Sequence, residues 1–246
     1  MNGSVIQFQN TGRNFRGKWA LRGVNATIAP GTICSVLGAN GAGKSTLLRL
    51  LAGWLPVSEG RILFHESPMR PTAIHLRRQV MLLDDAGGPT RREVRSSVQE
   101  LCDTIQNYQV DRPGIEKEVA DWFEKLDIIS VYKARPGEMS KGQAYKIAMI
   151  SLFVTSPHVW LLDEPFSAGL DASGLRILDE QMAKHAALGG IVIFSSQWPE
   201  HARRLADWAL VLHEGNLSWS AAPDTLPTVE ETPPALQAVL QGLGPE

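Results

Sequence analysis

The sequence predicts an α/β protein with a mostly parallel sheet, an antiparallel β layer at its N-terminus and an inserted helical subdomain. Three observations predict this class. Short β-rich runs broken by Gly, Asn and Pro fill the first quarter of the chain. Helical periodicity replaces these runs between about residues 85 and 156. From residue 159 onward, apolar strands alternate with helices, which is typical of a parallel sheet.

Length and composition limit the number of domains and the class of protein. The 246 residues are enough for one large domain, or for one domain with an insertion. The proportions of apolar (43%) and charged (20%) residues exclude collagen, coiled coil and wholesale disorder. The net charge of −2 provides no overall field that would attract nucleic acid or anionic lipid.

Cysteine content and hydropathy indicate the cellular compartment and the relation to membranes. The two cysteines, Cys34 and Cys102, cannot build a disulfide framework or a Cys-rich zinc site, which favours a reducing compartment. No segment reaches the roughly 18–20 apolar residues that span a bilayer, and the N-terminus has no signal-peptide pattern. We therefore expect a protein that is soluble or only peripherally attached to a membrane.

The individual elements follow from local patterns. Strands are predicted at residues 5–8, 24–28, 32–37 and 61–64, and a helix at 43–51 that is ended by Gly53 and Pro56. Helices at 94–108, 115–126 and 140–153 would form the helical subdomain, about residues 86–156. The predicted order then continues with strand 159–163, helix 172–188, strand 191–195, helix 199–205, strand 208–212, a turn at 214–216 and a last strand.

A glycine-rich loop between a predicted strand and a predicted helix is the strongest motif. It has the pattern GxxxxGK[ST], and its residues are Gly38, Ala39, Asn40, Gly41, Ala42, Gly43, Lys44, Ser45 and Thr46. Glycines let successive N–H groups turn inward around phosphate oxygens, and the helix that follows adds its partial positive charge. Lys44 would reach the β- and γ-phosphates, and the Ser45 hydroxyl would ligate Mg²⁺. The loop predicts a site for nucleotide phosphates.

A second motif follows far downstream, where the apolar run of residues 159–162 ends in Asp163 and Glu164. An aspartate at the carboxyl end of a buried parallel strand can hold Mg²⁺ through water, close to the phosphate loop. Glu164 is placed to polarise an attacking water as general base. Taken alone, the segment is equally an ordinary buried strand with a polar end.

Between these motifs, at a predicted helix start, stand Met139, Ser140, Lys141, Gly142 and Gln143. With the three segments in this order, the chain resembles an ATP-binding cassette (ABC) ATPase subunit. The signature motif of that family is LSGGQ, and this chain matches it with Met in place of Leu and Lys in place of the first Gly. By itself SxGQ is more often only a helix cap, although a helix N-terminus also suits an anion. The resemblance covers about residues 4–220.

The resemblance implies a P-loop NTPase fold with ATP and Mg²⁺ as cofactors. It also implies ATP hydrolysis that energises transport through separate membrane-spanning subunits, on the cytoplasmic face of the cell membrane. In this family two subunits, identical or different, sandwich two ATP molecules. The signature residues Ser140, Gly142 and Gln143 would then contact the γ-phosphate held by the opposite subunit. Phe15 stands where the family has an aromatic residue that stacks on adenine. Trp19 is its rival but is expected to belong to the core.

Two further passages refine the resemblance. Residues 160–168 and 181–193 are similar to the ATP-binding subunit of the haem exporter used in cytochrome c maturation. Residues 167–171 resemble the D-loop of the family but contain one residue more than its usual spacing. The inter-subunit contacts that the D-loop implies are therefore open.

The chain departs from the family pattern at two catalytic positions. Gln197 stands where the switch histidine is expected, and an amide cannot carry a positive charge. Asp85 stands where the Q-loop glutamine is expected. Its carboxylate could bind Mg²⁺, but it would repel the γ-phosphate without the metal. We therefore assign Gln197 and Asp85 to the catalytic set with Glu164, assign Asp85 to the metal site with Ser45 and Asp163, and expect slow hydrolysis.

Other readings stay open. The two replaced positions also suit an ATP-binding regulatory module that controls a partner by nucleotide occupancy. A soluble ABC ATPase acting on ribosomes or DNA is a third reading, but the second cassette and the long coiled coil usual there are absent from the sequence.

A basic cluster at residues 91–95 lacks the interleaved aromatics of a nucleic-acid site, so no nucleic-acid partner is expected. His201 is expected to be a solvated helix histidine, with contact to the site as the alternative.

The domain organisation follows from these assignments. Residues 1–222 would form the ABC ATPase domain, and residues 223–246 a Pro-rich appendage.

Overall fold

The structure is a computed structural model that describes residues 5–84 and 97–223. Its first strands are β1 (Ile6–Phe15), β2 (Lys18–Ile28), β3 (Ile33–Leu37), β4 (Glu59–Phe64) and β5 (Ser67–Pro68). Four of them form an antiparallel sheet with the strand order β2-β1-β4-β5. This sheet is the N-terminal layer that the sequence predicts.

The first hairpin is longer than predicted. The sequence predicts short strands at residues 5–8 and 24–28, whereas β1 and β2 pair from Ile6 and Ile28 up to a turn at Arg16 and Gly17. Both turn residues have positive φ, 50° and 91°. The register shifts at bulges between Phe8 and Asn14, and bulges interrupt the alternation of side chains. The period-2 pattern is therefore missing where the strands continue.

β3 belongs to a second, six-stranded sheet. Its other members are β6 (Val80–Leu83), β7 (Val159–Leu162), β8 (Ile191–Ser196), β9 (Trp208–His213) and β10 (Asn216–Ala221), and the order is β10-β9-β3-β8-β7-β6. All neighbours pair in parallel except β9 and β10. Strands β3, β6, β7 and β8 are buried along their whole length, as expected for parallel strands covered on both faces. The predicted α/β class is confirmed.

Helices cover the parallel sheet and fill the long connection between β6 and β7. They are α1 (Lys44–Leu51), α2 (Ile74–Arg77), α3 (Ser97–Asn107), α4 (Ile115–Lys125), α5 (Lys141–Thr155), α6 (Ala172–Ala187) and α7 (Pro199–Leu205). α5 is buried almost all round and packs against α3, α4 and β6. It therefore joins the helical region to the sheet, and its N-terminus carries the signature residues.

Some predictions fall outside the described residues. Asp85, the start of the helical subdomain and the appendage after Pro223 lie there, so they stay predictions.

Within residues 5–84 and 97–223, no helix has the length and apolar character needed to cross a membrane. Cys34 is fully buried in β3, and burial raises the pKa of its thiol, as expected for a thiol that packs in the core.

Candidate nucleotide-binding site

The predicted motifs meet at one edge of the parallel sheet. β8 lies between β3 and β7, with Leu37 paired to Ser196 and Leu162 paired to Phe194. The loops that follow these three strands carry the glycine-rich loop, Asp163 with Glu164, and Gln197. Because the carboxyl ends of parallel strands share an edge, segments far apart in sequence form one site.

The glycine-rich loop runs from Gly38 to Gly43 and ends in α1, beneath the N-terminal sheet. Gly43 has φ 106°, and a Cβ there would lie 2.6 Å from the carbonyl oxygen of Ala20 on β2. Only glycine fits both the backbone conformation and the close approach. No side chain caps the N-terminus of α1, so the N–H groups of its first turn, which includes Ser45 and Thr46, face the loop where an anion would bind.

Lys44 is the buried cation of the site, with a side chain that is 6% exposed. Its ammonium group donates to the carbonyl oxygens of Gly38, at 2.8 Å, and Ala39, at 3.2 Å. It also forms an ion pair with Glu164, with 3.0 Å between Nζ and Oε1. An ammonium group has three N–H donors, and these three oxygens match them. Lys44 therefore links the glycine-rich loop to the acidic segment.

The acidic segment is fixed by a serine of the neighbouring strand. Ser195 is fully buried at the end of β8. Its hydroxyl donates to Asp163 Oδ1 at 2.6 Å and accepts the backbone N–H of Glu164 at 2.8 Å. Glu164 has φ 48° and ψ 50°, a left-handed conformation that is uncommon outside glycine. Sequence reasoning assigned no role to Ser195; the only sequence signal was a hydroxyl at the end of an apolar strand.

Gln197 lies in the turn between β8 and α7, and the adjacent Ser196 fixes that turn. The Ser196 hydroxyl accepts the backbone N–H of Trp198 at 3.0 Å and lies 2.9 Å from His201 Nδ1. The His201 ring packs on Phe166, with centroids 4.1 Å apart, and burial lowers its pKa. The expectation of a solvated His201 is therefore wrong. The apolar neighbour lies 35 positions away in the chain, beyond the reach of a local pattern.

The signature residues form the N-terminus of α5. Ser140 and Gln143 make a capping box, in which Ser140 Oγ accepts the Gln143 N–H and Gln143 Oε1 accepts the Ser140 N–H, at 3.2 and 2.9 Å. Gly142 packs against the predicted D-loop: a Cβ at Gly142 would lie 2.2 Å from the carbonyl oxygen of Gly169. The signature and the D-loop thus form one unit within the chain.

The predicted D-loop contains Gly169, whose φ of 79° lies in the left-handed region that favours glycine. The loop ends at Asp171, which caps α6 by accepting the Gly174 N–H at 2.7 Å. The buried Lys146 of α5 pairs with Asp171 at 2.7 Å and also donates to the carbonyl oxygen of Leu126. The hydrogen bond from Lys146 holds the pKa of Asp171 below its ordinary value.

Both candidate aromatic residues lie on the first hairpin and are partly exposed. Phe15 ends β1 and is 41% exposed, with the Arg13 guanidinium 4.5 Å from its ring centre. Trp19 on β2 is 37% exposed, with Arg22 over its ring. The expectation that Trp19 belongs to the core is wrong, and either ring can present a face to a base.

Taken together, the fold and these residues define a P-loop nucleotide-binding protein. The family model described as ABC transporter matches residues 21–167. The cytochrome c biogenesis ATP-binding export protein CcmA of Sodalis glossinidius is 31% identical over 186 residues, which cover 74% of this chain and 83% of that protein. The ABC transporter ATP-binding protein NatA of Bacillus subtilis is 27% identical over 228 residues, which cover 90% and 91% of the two chains.

Solved structures of ABC transporter subunits share the fold of this chain. The structure of an ATP-binding subunit of an ABC transporter superimposes with a TM-score of 0.83 at 20% identity, over 97% of this chain and 99% of that one. cbiO1 of Clostridium perfringens, part of the ABC transporter complex cbiONQ, gives a TM-score of 0.71 at 26% identity, over 90% of both chains.

The chain belongs to the ABC transporter family. It is an ATP-binding and ATP-hydrolysing subunit of the kind that energises transport through separate membrane subunits. The resemblance drawn from the sequence is confirmed, including its similarity to cytochrome c biogenesis subunits. The roles of individual residues, the metal and the assembly are matters of proposal.

Proposed function

We propose that this subunit binds ATP with Mg²⁺ at the carboxyl edge of the parallel sheet and hydrolyses it within a dimer of cassettes. The observation that carries the proposal is the contact between the glycine-rich loop and the acidic segment, where Lys44 Nζ lies 3.0 Å from Glu164 Oε1. This contact brings the cation for the phosphates and the base for water to one point, as phosphoryl transfer requires.

The donor set suits Mg²⁺. The Ser45 hydroxyl and the Asp163 carboxylate are hard oxygen ligands, which Mg²⁺ prefers over nitrogen or sulfur. Within residues 5–84 and 97–223, no three His, Cys, Asp or Glu side chains cluster in a way that could hold a metal ion alone. Mg²⁺ needs no such cluster, because one or two carboxylates complete its shell together with substrate phosphates and water. Asp85 is proposed as a further oxygen ligand.

In the proposed reaction, Lys44 binds the β- and γ-phosphates. Ser45 and Asp163 would hold Mg²⁺, which would supply further neutralisation of the phosphate charge. Glu164 accepts a proton from the attacking water, and its backbone is held in place by Ser195. Gln197 donates a hydrogen bond to the γ-phosphate. Phe15 stacks on the adenine, since its ring is exposed at the end of the hairpin whose second strand approaches Gly43 at Ala20.

The proposed dimer supplies the remaining contacts. Ser140, Gly142 and Gln143 face the γ-phosphate bound to a second ABC subunit, identical or different, because the N-terminus of α5 suits an anion. Membrane-spanning subunits complete the transporter and hold this chain peripherally on the cytoplasmic face of the cell membrane. The relatives named as ATP-binding export proteins support this arrangement.

Titration calorimetry with ATP and Mg²⁺ tests the nucleotide site. We expect Lys44→Ala to abolish binding, because it removes the buried cation aimed at the β- and γ-phosphates. Lys117→Ala is the matched control, since Lys117 is an 80% exposed lysine on α4 and its loss should leave affinity unchanged. Equal affinity of the Lys44 variant and the parent would refute the site.

Glu164→Gln tests the catalytic base and the dimer. This change removes the base and also the negative charge that pairs with Lys44, so ATP should bind at least as tightly while turnover is lost. We expect an ATP-bound dimer in analytical ultracentrifugation, with the membrane partner or a second cassette present if needed. Fast turnover in this variant would exclude Glu164 as the base, and monomers under all these conditions would contradict the sandwich.

A further inference from the structure

A buried serine joins the two acidic residues of the site. Ser195 Oγ lies 2.6 Å from Asp163 Oδ1 and 2.8 Å from the backbone nitrogen of Glu164. Ser195 is 0% exposed and Asp163 4%, so water cannot readily replace either contact. Because an ionised carboxylate only accepts hydrogen bonds, the hydroxyl proton must point to Asp163, and a lone pair then accepts the Glu164 N–H.

The same hydroxyl acts on two different parts of the chemistry. Its bond to Asp163 fixes one carboxylate oxygen and thereby the direction of the other. Its bond to Glu164 holds a non-glycine residue in the left-handed region, at φ 48° and ψ 50°, where the conformation alone is unfavourable. From that backbone the Glu164 side chain reaches Lys44.

We propose that Ser195 is a positioning residue for the reaction: it orients Asp163 toward Mg²⁺ and holds Glu164 beside the phosphates. This inference rests on the proposed roles of Asp163 and Glu164. Hydrogen-bond partners of metal ligands commonly change metal affinity or activity by about 10–100-fold when they are removed. Ser195 would thus couple the metal site and the base through one atom.

The chain offers a matched control for this serine. Ser35 lies on β3, next to β8, and is also 0% exposed. Its hydroxyl has no hydrogen-bond partner among the described residues. Ser35→Ala therefore removes a buried hydroxyl from the same sheet without breaking a contact to the site.

The test compares ATP affinity of the full chain with Mg²⁺ and in EDTA, by titration calorimetry. The ratio of the two affinities is the gain from the metal. We expect Ser195→Ala to reduce this gain by about tenfold or more, to leave the affinity in EDTA unchanged, and to lower phosphate release by a similar factor. Ser35→Ala should match the parent in all three, and Ser195→Thr, which keeps the hydroxyl, should recover most of the loss.

Asp163→Asn separates the possible failures. If Ser195→Ala leaves the gain in affinity from Mg²⁺ unchanged but Asp163→Asn abolishes it, the role of Ser195 is overturned. The proposed function then stays intact. A gain unchanged in both variants, or absent from the parent, would overturn the proposed magnesium site and the role of Ser195 with it.

Thermal denaturation establishes that each variant is folded. If Ser195→Ala does not fold, Ser195→Cys replaces it, since a thiol of similar shape is a much weaker donor. The same loss is expected, and a parent-like gain in the folded Cys variant would refute the proposal.

Discussion

In the proposed reaction, the Gln197 amide stands at a position where charge develops during phosphoryl transfer. A neutral amide offers an ordinary hydrogen bond, whereas a histidine that takes up a proton offers a charge-assisted bond of about twice the strength. Ser196 holds the turn on which Gln197 stands by accepting the Trp198 N–H. A histidine at position 197 would therefore inherit a fixed backbone.

We expect Gln197→His to raise the rate of phosphate release at saturating ATP. Losing one donor to transition-state charge typically costs on the order of a hundredfold, so restoring one should recover part of that factor. The double change with Asp85→Gln should exceed either single change, because glutamine keeps an oxygen that can bind Mg²⁺ while it removes a negative charge that opposes the γ-phosphate. If the parent is already fast and both changes slow it, the alignment of these two positions is wrong.

The buried hydroxyl of Tyr145 allows a test of how one polar atom affects the free energy of unfolding. The residue is fully buried in α5, and its hydroxyl has no hydrogen-bond partner among the described residues. Because a buried hydroxyl without a partner costs free energy, Tyr145→Phe should raise the free energy of unfolding by about 1 kcal/mol. Urea denaturation measures this change.

Tyr108 serves as the opposite control. Its hydroxyl donates to the carbonyl oxygen of Val80 at 2.8 Å, so Tyr108→Phe should lower the free energy of unfolding by about 1 kcal/mol. Equal effects of the two substitutions, in sign and size, would contradict the hydrogen bonding described for these tyrosines.

Among the elements, α5 and the D-loop depend on a close approach of two glycines. A Cβ on Gly142 would lie 2.2 Å from the Gly169 carbonyl oxygen, a backbone atom that cannot swing away. We expect Gly142→Ala to lower the free energy of unfolding by about 1–3 kcal/mol, as overpacking usually does. Gly137→Ala is the control, because a Cβ there meets nothing within 4 Å. Denaturation curves that coincide for both variants and the parent would contradict this contact.

Elements with a strong local signal could be predicted from the sequence. The sequence predicts the end of helix α1 at Leu51, because Gly53 and Pro56 follow, and it predicts α7 at its full length, with Pro199 as the first residue. The length of β1 could not be predicted, since bulges break its alternation. The contact between Ser195 and Asp163 joins residues 32 positions apart, and it depends on the register of two parallel strands, which no local pattern encodes.

For the whole molecule, the pH dependence of stability should come from one buried histidine, His185, and two half-buried ones, His158 and His201. Burial lowers the pKa of His158, His185 and His201 in the folded chain, whereas an unfolded histidine titrates near about 6.5. The unfolded state therefore binds more protons below that pH, and the folded state loses stability as the pH falls. Above about pH 6.5 this stability is fully present.

Urea denaturation at pH 7.5 and 5.5 measures this effect, and we expect a lower free energy of unfolding at the acidic pH. His185 stacks on Trp160 at 4.1 Å and donates from Nε2 to the His158 carbonyl oxygen, so protonation would place a charge in a largely buried ring. His185→Gln should reduce the pH dependence, and the exposed His75→Gln should not. Stability that stays constant between the two pH values would contradict the burial of these rings.

The strand order β9-β3-β8 has a consequence for synthesis on the ribosome. The first sheet uses only residues up to Pro68, so it can assemble while the rest of the chain is still being made. β3 has to wait, since its two partners begin at Ile191 and Trp208. Contacts between such distant segments form slowly because a long loop must close first. A nascent chain ending before β8 therefore carries the complete glycine-rich loop without the neighbouring strand that supports it, and ATP should protect the finished cassette from protease but not that shorter chain.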